Sequence, residues 1–63
     1  MKTEQVNRHF GNSSATARAC GLTPQAVAKW GETVPSLRQF QIEVITDGKL
    51  KSDFTKDRLQ QES

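Results

Sequence analysis

The spacing of small and apolar residues between Ser13 and Trp30 constrains this chain more than any other feature. If Ser13 is counted as position one, the small residue Ala17 stands fifth. Gly21 stands ninth, where its freedom to adopt a positive φ suits a tight turn. Three later positions are apolar and predicted to be core: Leu22, Val27 and Trp30. The pattern predicts two short helices that cross closely, as in a helix-turn-helix. An ordinary helical hairpin with a glycine turn is the competing interpretation.

Helix start and stop signals bracket the two helices of this motif. The Asn-Ser-Ser segment at 12–14 can cap the first helix, and we expect one of its two serines to do so. Thr23 is the predicted cap of the second helix, with Pro24 in its first turn and Gly31 at its end. An earlier helix is predicted at 3–10, capped by its first residue and followed by a glycine.

The segment at 36–54 carries two competing patterns. Ser36 and Gln39 have the spacing of a capping box, which favours the start of a helix. Apolar residues recur there at helical spacing: Leu37, Phe40 and Val44. The same stretch also alternates as a strand does, and Asp47-Gly48 is a strong hairpin-turn signal.

The capping box and the helical spacing favour a fourth helix at 37–46 that is ended by a glycine. A short fifth helix or turn is then expected around 50–59, with Phe54 and Leu59 as its anchors. The predicted fold is an all-α domain of five helices. The alternative is an α+β fold, in which helices 1–3 are followed by a C-terminal β-hairpin around Asp47-Gly48.

The residue types leave little room for enzyme chemistry or a metal site. The chain has one His and one Cys, and its seven Asp and Glu residues include no tight pair. A domain this small also lacks room for a substrate cleft. We therefore expect no enzymatic activity, no cofactor, no metal and no small-molecule ligand. Because no run approaches the ~18 apolar residues of a membrane span, we also expect no membrane partner and a cytoplasmic location.

The outward residues of the second motif helix suit duplex DNA. In a helix-turn-helix, the start of this helix enters the major groove. A Gln can pair with adenine, a Lys can donate to guanine, and Ala or the Thr methyl group can meet a thymine methyl. The expected base-contacting residues are Thr23, Pro24, Gln25, Ala28 and Lys29.

Phosphate contacts are expected at the starts of two helices, where backbone N–H groups and the positive end of the helix dipole favour anions. The first set is Asn12, Ser13 and Ser14. The second set is Ser36 with Arg38, at the start of the fourth helix. An arginine in a first helical turn opposes the helix dipole, so its position is better explained if a phosphate lies beside it.

Four stretches together resemble the Cro repressors of lambdoid bacteriophages and prophages. They are HFG at 9–11, ATARACGLTPQAVAKW at 15–30, VP at 34–35 and IEVITDGKLKSDF at 42–54. The resemblance implies that Pro24, Gln25, Ala28 and Lys29 read bases. It also implies phosphate contacts by Ser13, with Asn12 or Ser14, and by Arg38.

The same resemblance bears on the two folds left open above. Cro proteins occur in an all-helical, lambda-repressor-like form and in a form with a C-terminal β-hairpin that pairs into a dimer. The VPSLRQ and LKSDF segments look more like the all-helical form. Since helical members tend to dimerise weakly in solution and associate on DNA, a weak homodimer strengthened by DNA is implied.

These features predict a sequence-specific, DNA-binding transcriptional repressor that binds a pseudo-palindromic operator as a dimer in the bacterial host cytoplasm. The DNA-binding domain is expected at 1–59, with the helix-turn-helix at 13–31 and a frayed tail at 60–63. One alternative is a small helical protein-interaction module, such as an antitoxin or adaptor. The other is an excisionase-type DNA-binding regulator.

Overall fold

The structure, a computed structural model, describes residues 1–61 as a bundle of five α-helices. The helices are α1 Thr3–Phe10, α2 Ser13–Cys20, α3 Pro24–Ala28, α4 Ser36–Ile45 and α5 Asp53–Gln61. The predicted all-α fold of five helices is confirmed. The β-hairpin alternative is wrong, because within residues 1–61 the β pairing is an isolated bridge between Lys2 and Thr33.

The Asp-Gly signal that suggested a hairpin is instead the end of α4. Asp47 adopts the left-handed conformation with φ 54°, which Asp tolerates better than most residues. Its N–H donates to Val44 O at 3.1 Å, and Gly48 N–H donates to Glu43 O at 2.8 Å. These two bonds satisfy carbonyls that the end of a helix would otherwise leave unpaired. The prediction that Gly48 ends α4 is therefore off by one residue.

Two of the predicted helix caps differ from those observed. Asn12 caps α2 in place of a serine, since its Oδ1 accepts from Ala15 N–H at 2.8 Å. Thr3 does not cap α1, because it is the first residue inside the helix and its Oγ1 is buried without a hydrogen-bond partner. Thr23 caps α3 as predicted, and its Oγ1 accepts from Ala26 N–H at 3.3 Å.

The predicted capping box at the start of α4 does not form. Pro35 precedes the helix, and Ser36 is its first residue. Gln39 is buried, and its amide Nε2 donates to Val34 O at 2.7 Å while its Oε1 accepts from Asp53 N–H at 2.8 Å. Gln39 therefore joins α4 to the segment before it and to the start of α5.

Helix α5 begins later than predicted because it has its own cap. Ser52 Oγ accepts from Thr55 N–H at 3.2 Å, and Ser52 N–H donates to Glu43 Oε1 at 2.7 Å. The N-terminal ammonium of Met1 also contacts the Asp53 carboxylate. In the predicted frayed tail, residues 60 and 61 continue α5, and residues 62 and 63 lie outside the described residues.

The core lies around α2, which contacts α1, α3 and α4. Its largest fully buried side chains are Ile42, Val6, Val27 and Val34. Ala17 is also buried, which confirms the small residue that lets α2 approach its neighbours. Leu22 and Trp30 are only partly buried and pack against the core cluster from outside. Trp30 follows α3, which ends at Ala28, two residues earlier than predicted.

The apolar stripe that predicted α4 faces solvent. Leu37 is 75% exposed and Val44 is 80% exposed, whereas the buried residues of α4 are Gln39 and Ile42. The expected anchors of α5, Phe54 and Leu59, also remain about half exposed, although the Phe54 ring contacts the Phe40 ring of α4. Among the described residues, the exposed large hydrophobic side chains all belong to these two helices. We call this set the α4–α5 apolar surface: Leu37, Phe40, Val44, Ile45, Phe54 and Leu59.

Candidate nucleic-acid interface

The turn between α2 and α3 fixes how the two helices cross. Gly21 is left-handed, with φ 71°. Its N–H donates to Arg18 O at 3.2 Å, and Leu22 N–H donates to Ala17 O at 2.8 Å. This is the hydrogen-bond pattern of a Schellman motif, which closes α2 and redirects the chain into α3. The predicted helix-turn-helix is therefore present, with Gly21 at its turn.

Helix α3 presents every predicted base-contacting side chain to solvent. Val27 is 1% exposed and packs inward, which orients the opposite face of α3 away from the core. The side chains on the accessible part of this helix and its cap are Thr23, Pro24, Gln25, Ala28 and Lys29. They include amide, ammonium and methyl groups but no carboxylate, so the face can donate to base edges and contact thymine methyl groups.

The start of α2 is exposed as a donor-rich helix end. The three predicted phosphate-contacting residues there are Asn12, Ser13 and Ser14. The Asn12 side chain is engaged as the helix cap. Ser13 and Ser14 are the first two residues of α2, so their N–H groups have no acceptor within the helix. These N–H groups and the positive end of the α2 dipole can bind an anion.

The structure brings Arg38 to the helix-turn-helix rather than leaving it on a separate surface. Ser36 is exposed at the start of α4, and Arg38 lies two residues later in the same first turn, where it is half-buried. Arg38 Nη1 donates to Gln41 Oε1 at 2.7 Å. Gln41 Nε2 in turn donates to Cys20 O at 3.0 Å, at the end of α2. Gln41 is not among the residues predicted from the sequence, where its only signal is an amide three residues after an arginine.

Charge is distributed unevenly along the chain. The segment at 11–31 contains Arg18 and Lys29 but no Asp or Glu, so all seven carboxylates lie outside the helix-turn-helix.

Burial raises the pKa of the Cys20 thiol, and the nearby positive charge of Arg38 partly opposes this rise. Within the described part of the chain, no group of three or more His, Cys, Asp or Glu residues could hold a metal ion. No helix in residues 1–61 is long and apolar enough to cross a membrane.

Comparison with known proteins agrees with this geometry. Residues 2–63 match the family described as DNA-binding transcriptional regulator Cro. The chain is 37% identical over 51 residues to the regulatory protein cro of Salmonella phage P22, a match that covers 81% of this chain and 84% of that protein. It is also similar to the solved structure of N15 Cro complexed with consensus operator DNA. That match has a TM-score of 0.88 and 48% identity, and it covers 95% of this chain and 98% of the other.

Proposed function

Because the chain belongs to the Cro family of DNA-binding transcriptional regulators, we propose that this repressor reads its operator by inserting α3 into the major groove. The observation that carries the proposal is the exposed outer face of α3, in a fold that superimposes on a Cro–operator complex with a TM-score of 0.88. Repression then follows by occupancy, since a protein bound at an operator blocks other proteins from the same DNA.

Base readout is assigned to Gln25 and Lys29, with Thr23, Pro24 and Ala28 in supporting contacts. Gln25 lies in the first turn of α3, and Lys29 lies one turn later on the same face. The Gln25 amide can donate to and accept from adenine, and the Lys29 ammonium can donate to guanine. Pro24, Ala28 and the Thr23 methyl group offer apolar contacts that favour a thymine methyl.

The phosphate backbone is held at two places that flank α3. One is the start of α2, with Asn12, Ser13 and Ser14. The other is the start of α4, with Ser36 and Arg38. Such contacts carry no sequence information themselves, but they fix the register of the recognition helix on the duplex.

A second copy of the chain is the proposed occupant of the α4–α5 apolar surface. Phe40 and Phe54 meet edge to face with ring centroids 5.9 Å apart, which joins the two helices into one surface. Only six partly exposed side chains form this surface, so we propose a weak dimer in solution. An operator with two half-sites about one helical turn apart would bring two copies together and strengthen the dimer.

Residues 1–59 act as one DNA-binding domain, with the helix-turn-helix at 13–31. The protein works in the bacterial host cytoplasm, where it meets its operator. Binding needs no cofactor and no small-molecule ligand, because the contacts come from side chains and helix ends of the chain itself.

Selection of bound sequences from random duplex DNA tests this function. The expected result is a pair of inverted half-sites with centres about 10 base pairs apart. Gln25→Ala and Lys29→Ala should each cost about 1–3 kcal/mol of discrimination at one base pair, whereas Gln5→Ala, on the exposed side of α1, serves as the matched control. Wild-type sequence preference in either variant would refute the assignment of α3 as the recognition helix. Salt-insensitive binding to a protein partner, without DNA binding, would indicate an interaction module instead.

A further inference from the structure

We infer that Gln41 is a positioning residue for the DNA contact of Arg38, because one amide side chain ties the Arg38 guanidinium to the end of α2. The inference rests on the proposed function, in which Arg38 contacts a phosphate. Gln41 itself need not touch DNA. It acts by holding a cation of α4 in register with the helix-turn-helix.

Both ends of the Gln41 amide are engaged. Its Oε1 accepts from Arg38 Nη1 at 2.7 Å, and its Nε2 donates to Cys20 O at 3.0 Å. Cys20 is the last residue of α2 and directly precedes the glycine of the turn. The carbonyl oxygens in the last turn of a helix have no N–H donor within the helix, so the Gln41 amide also supplies the Cys20 carbonyl with a donor.

Only an amide of this length fits both roles. A glutamate could accept from Arg38, but at neutral pH it could not donate to Cys20 O. A leucine of similar size could form neither bond. A glutamate would also neutralise Arg38, whereas the amide oxygen leaves its full positive charge. The ion pairs found among residues 1–61 join Glu4 to Arg8 and the N-terminus to Asp53. Neither pair involves Arg38, so its guanidinium can bind another anion.

Holding the guanidinium in place favours phosphate binding for two reasons. A free arginine side chain loses rotamer freedom when it binds, and part of that loss is already made when the side chain is fixed. A guanidinium has five N–H donors, and the bond to Gln41 uses one of them. The others can meet phosphate oxygens at a fixed distance from the start of α2.

The test is a double-mutant cycle on duplex DNA carrying the sequence selected from random DNA. The Kd and its salt dependence are measured for wild type, Gln41→Leu, Arg38→Ala and the double variant. Gln41→Leu should weaken binding about three- to tenfold with an unchanged salt slope, because the charge remains. Arg38→Ala should weaken binding to all sequences and reduce the salt slope by about one. In the Arg38→Ala background, Gln41→Leu should change the Kd by less than about twofold.

A second variant separates positioning from packing. Gln41→Glu keeps the size and the bond to Arg38 but adds a neutralising charge, so it should reduce the salt slope as Arg38→Ala does. An equal loss of affinity on Gln41→Leu in both backgrounds would overturn the inference, because Gln41 would then act only by packing α4 on α2. Unchanged Kd and salt slope in Arg38→Ala would instead remove the proposed phosphate contact, and the inference with it. Urea unfolding of each variant confirms that the bound protein is folded.

Discussion

Replacing Gln39 with leucine should destabilise the domain by about 2–3 kcal/mol while leaving the core volume nearly unchanged. The Gln39 amide donates to Val34 O at 2.7 Å and accepts from Asp53 N–H at 2.8 Å. Each bond contributes about 1 kcal/mol net, and an acceptor left buried without a partner costs about 1–3 kcal/mol. Val34 is 1% exposed, so its carbonyl belongs to that costly class, whereas Asp53 is exposed and its N–H can turn to water.

This loss is large for so small a chain. At about 0.05–0.15 kcal/mol per residue, a 63-residue domain has a stability of about 3–9 kcal/mol. A loss of about 2–3 kcal/mol therefore lowers the Tm by roughly 10–20 °C. Gln39→Ala should cost more than Gln39→Leu, because it also leaves a cavity at a position that is 4% exposed.

Urea unfolding followed by far-ultraviolet circular dichroism measures these differences, and Trp30 fluorescence gives a second probe. Gln5→Leu is the matched control, since Gln5 is exposed on α1 and its replacement should stay within about 0.5 kcal/mol of wild type. Hydrogen exchange of the Asp53 amide should accelerate in Gln39→Leu relative to amides of α2. If Gln39→Leu were as stable as wild type, the hydrogen bonds of the Gln39 amide would contribute nothing net to stability, which would refute this prediction.

Four further results are expected. Gly21→Ala should destabilise the domain by about 1–2 kcal/mol because φ is 71° at this position, although an added Cβ would meet nothing within 4 Å. The stability of Gly21→Asn should lie between those of Gly21→Ala and wild type, and urea unfolding of the three proteins checks this order. Hydrogen bonds from Ser52 N–H and the Thr55 hydroxyl lower the pKa of the Glu43 carboxyl. This stabilisation is therefore complete above the ordinary pKa range of a glutamate and is lost as the pH falls below it; Glu43→Gln should flatten the pH profile of unfolding in that acidic window. Burial raises the pKa of the Cys20 thiol, so this thiol should react with iodoacetamide slowly in the native protein and quickly in urea. Fast labelling of the native protein would contradict its burial. Val44→Ser should weaken cooperative binding of two copies to a full operator without changing stability or single half-site affinity, as gel-shift titrations would show.

The helix-turn-helix was predictable because its constraints are local. A small residue, a glycine in the turn and three apolar residues specify the crossing of α2 and α3 within about 20 positions. Thr23 was found as a cap because it stands directly before Pro24 at the start of a helix. Asn12 was missed in favour of a serine, since three neighbouring residues had similar capping preferences and only the backbone conformation of Asn12 decides between them.

The segment at 36–54 was predictable in type but not in orientation. Helical spacing of Leu37, Phe40 and Val44 identified α4, yet that stripe faces solvent. The apolar periodicity of a single helix does not distinguish a face that packs in the core from an apolar face that is exposed. Gln39 shows the converse, because a polar residue is buried where its side-chain hydrogen bonds connect α4 to Val34 and to Asp53.

The two faces of α4 therefore have different roles in the domain. The inner face carries Ile42 into the core and uses Gln39 and Glu43 to hold the start of α5. Held in this way, α5 places Phe54 beside Phe40 and completes the outer apolar surface. If a second copy packs on that surface, loosening α5 through Gln39 should weaken binding to a full operator more than binding to one half-site. The residues proposed to read bases lie on α3 and at its two ends. Sequence preference should therefore be unaffected, and sequence preference and cooperativity should be separable by mutation in this chain.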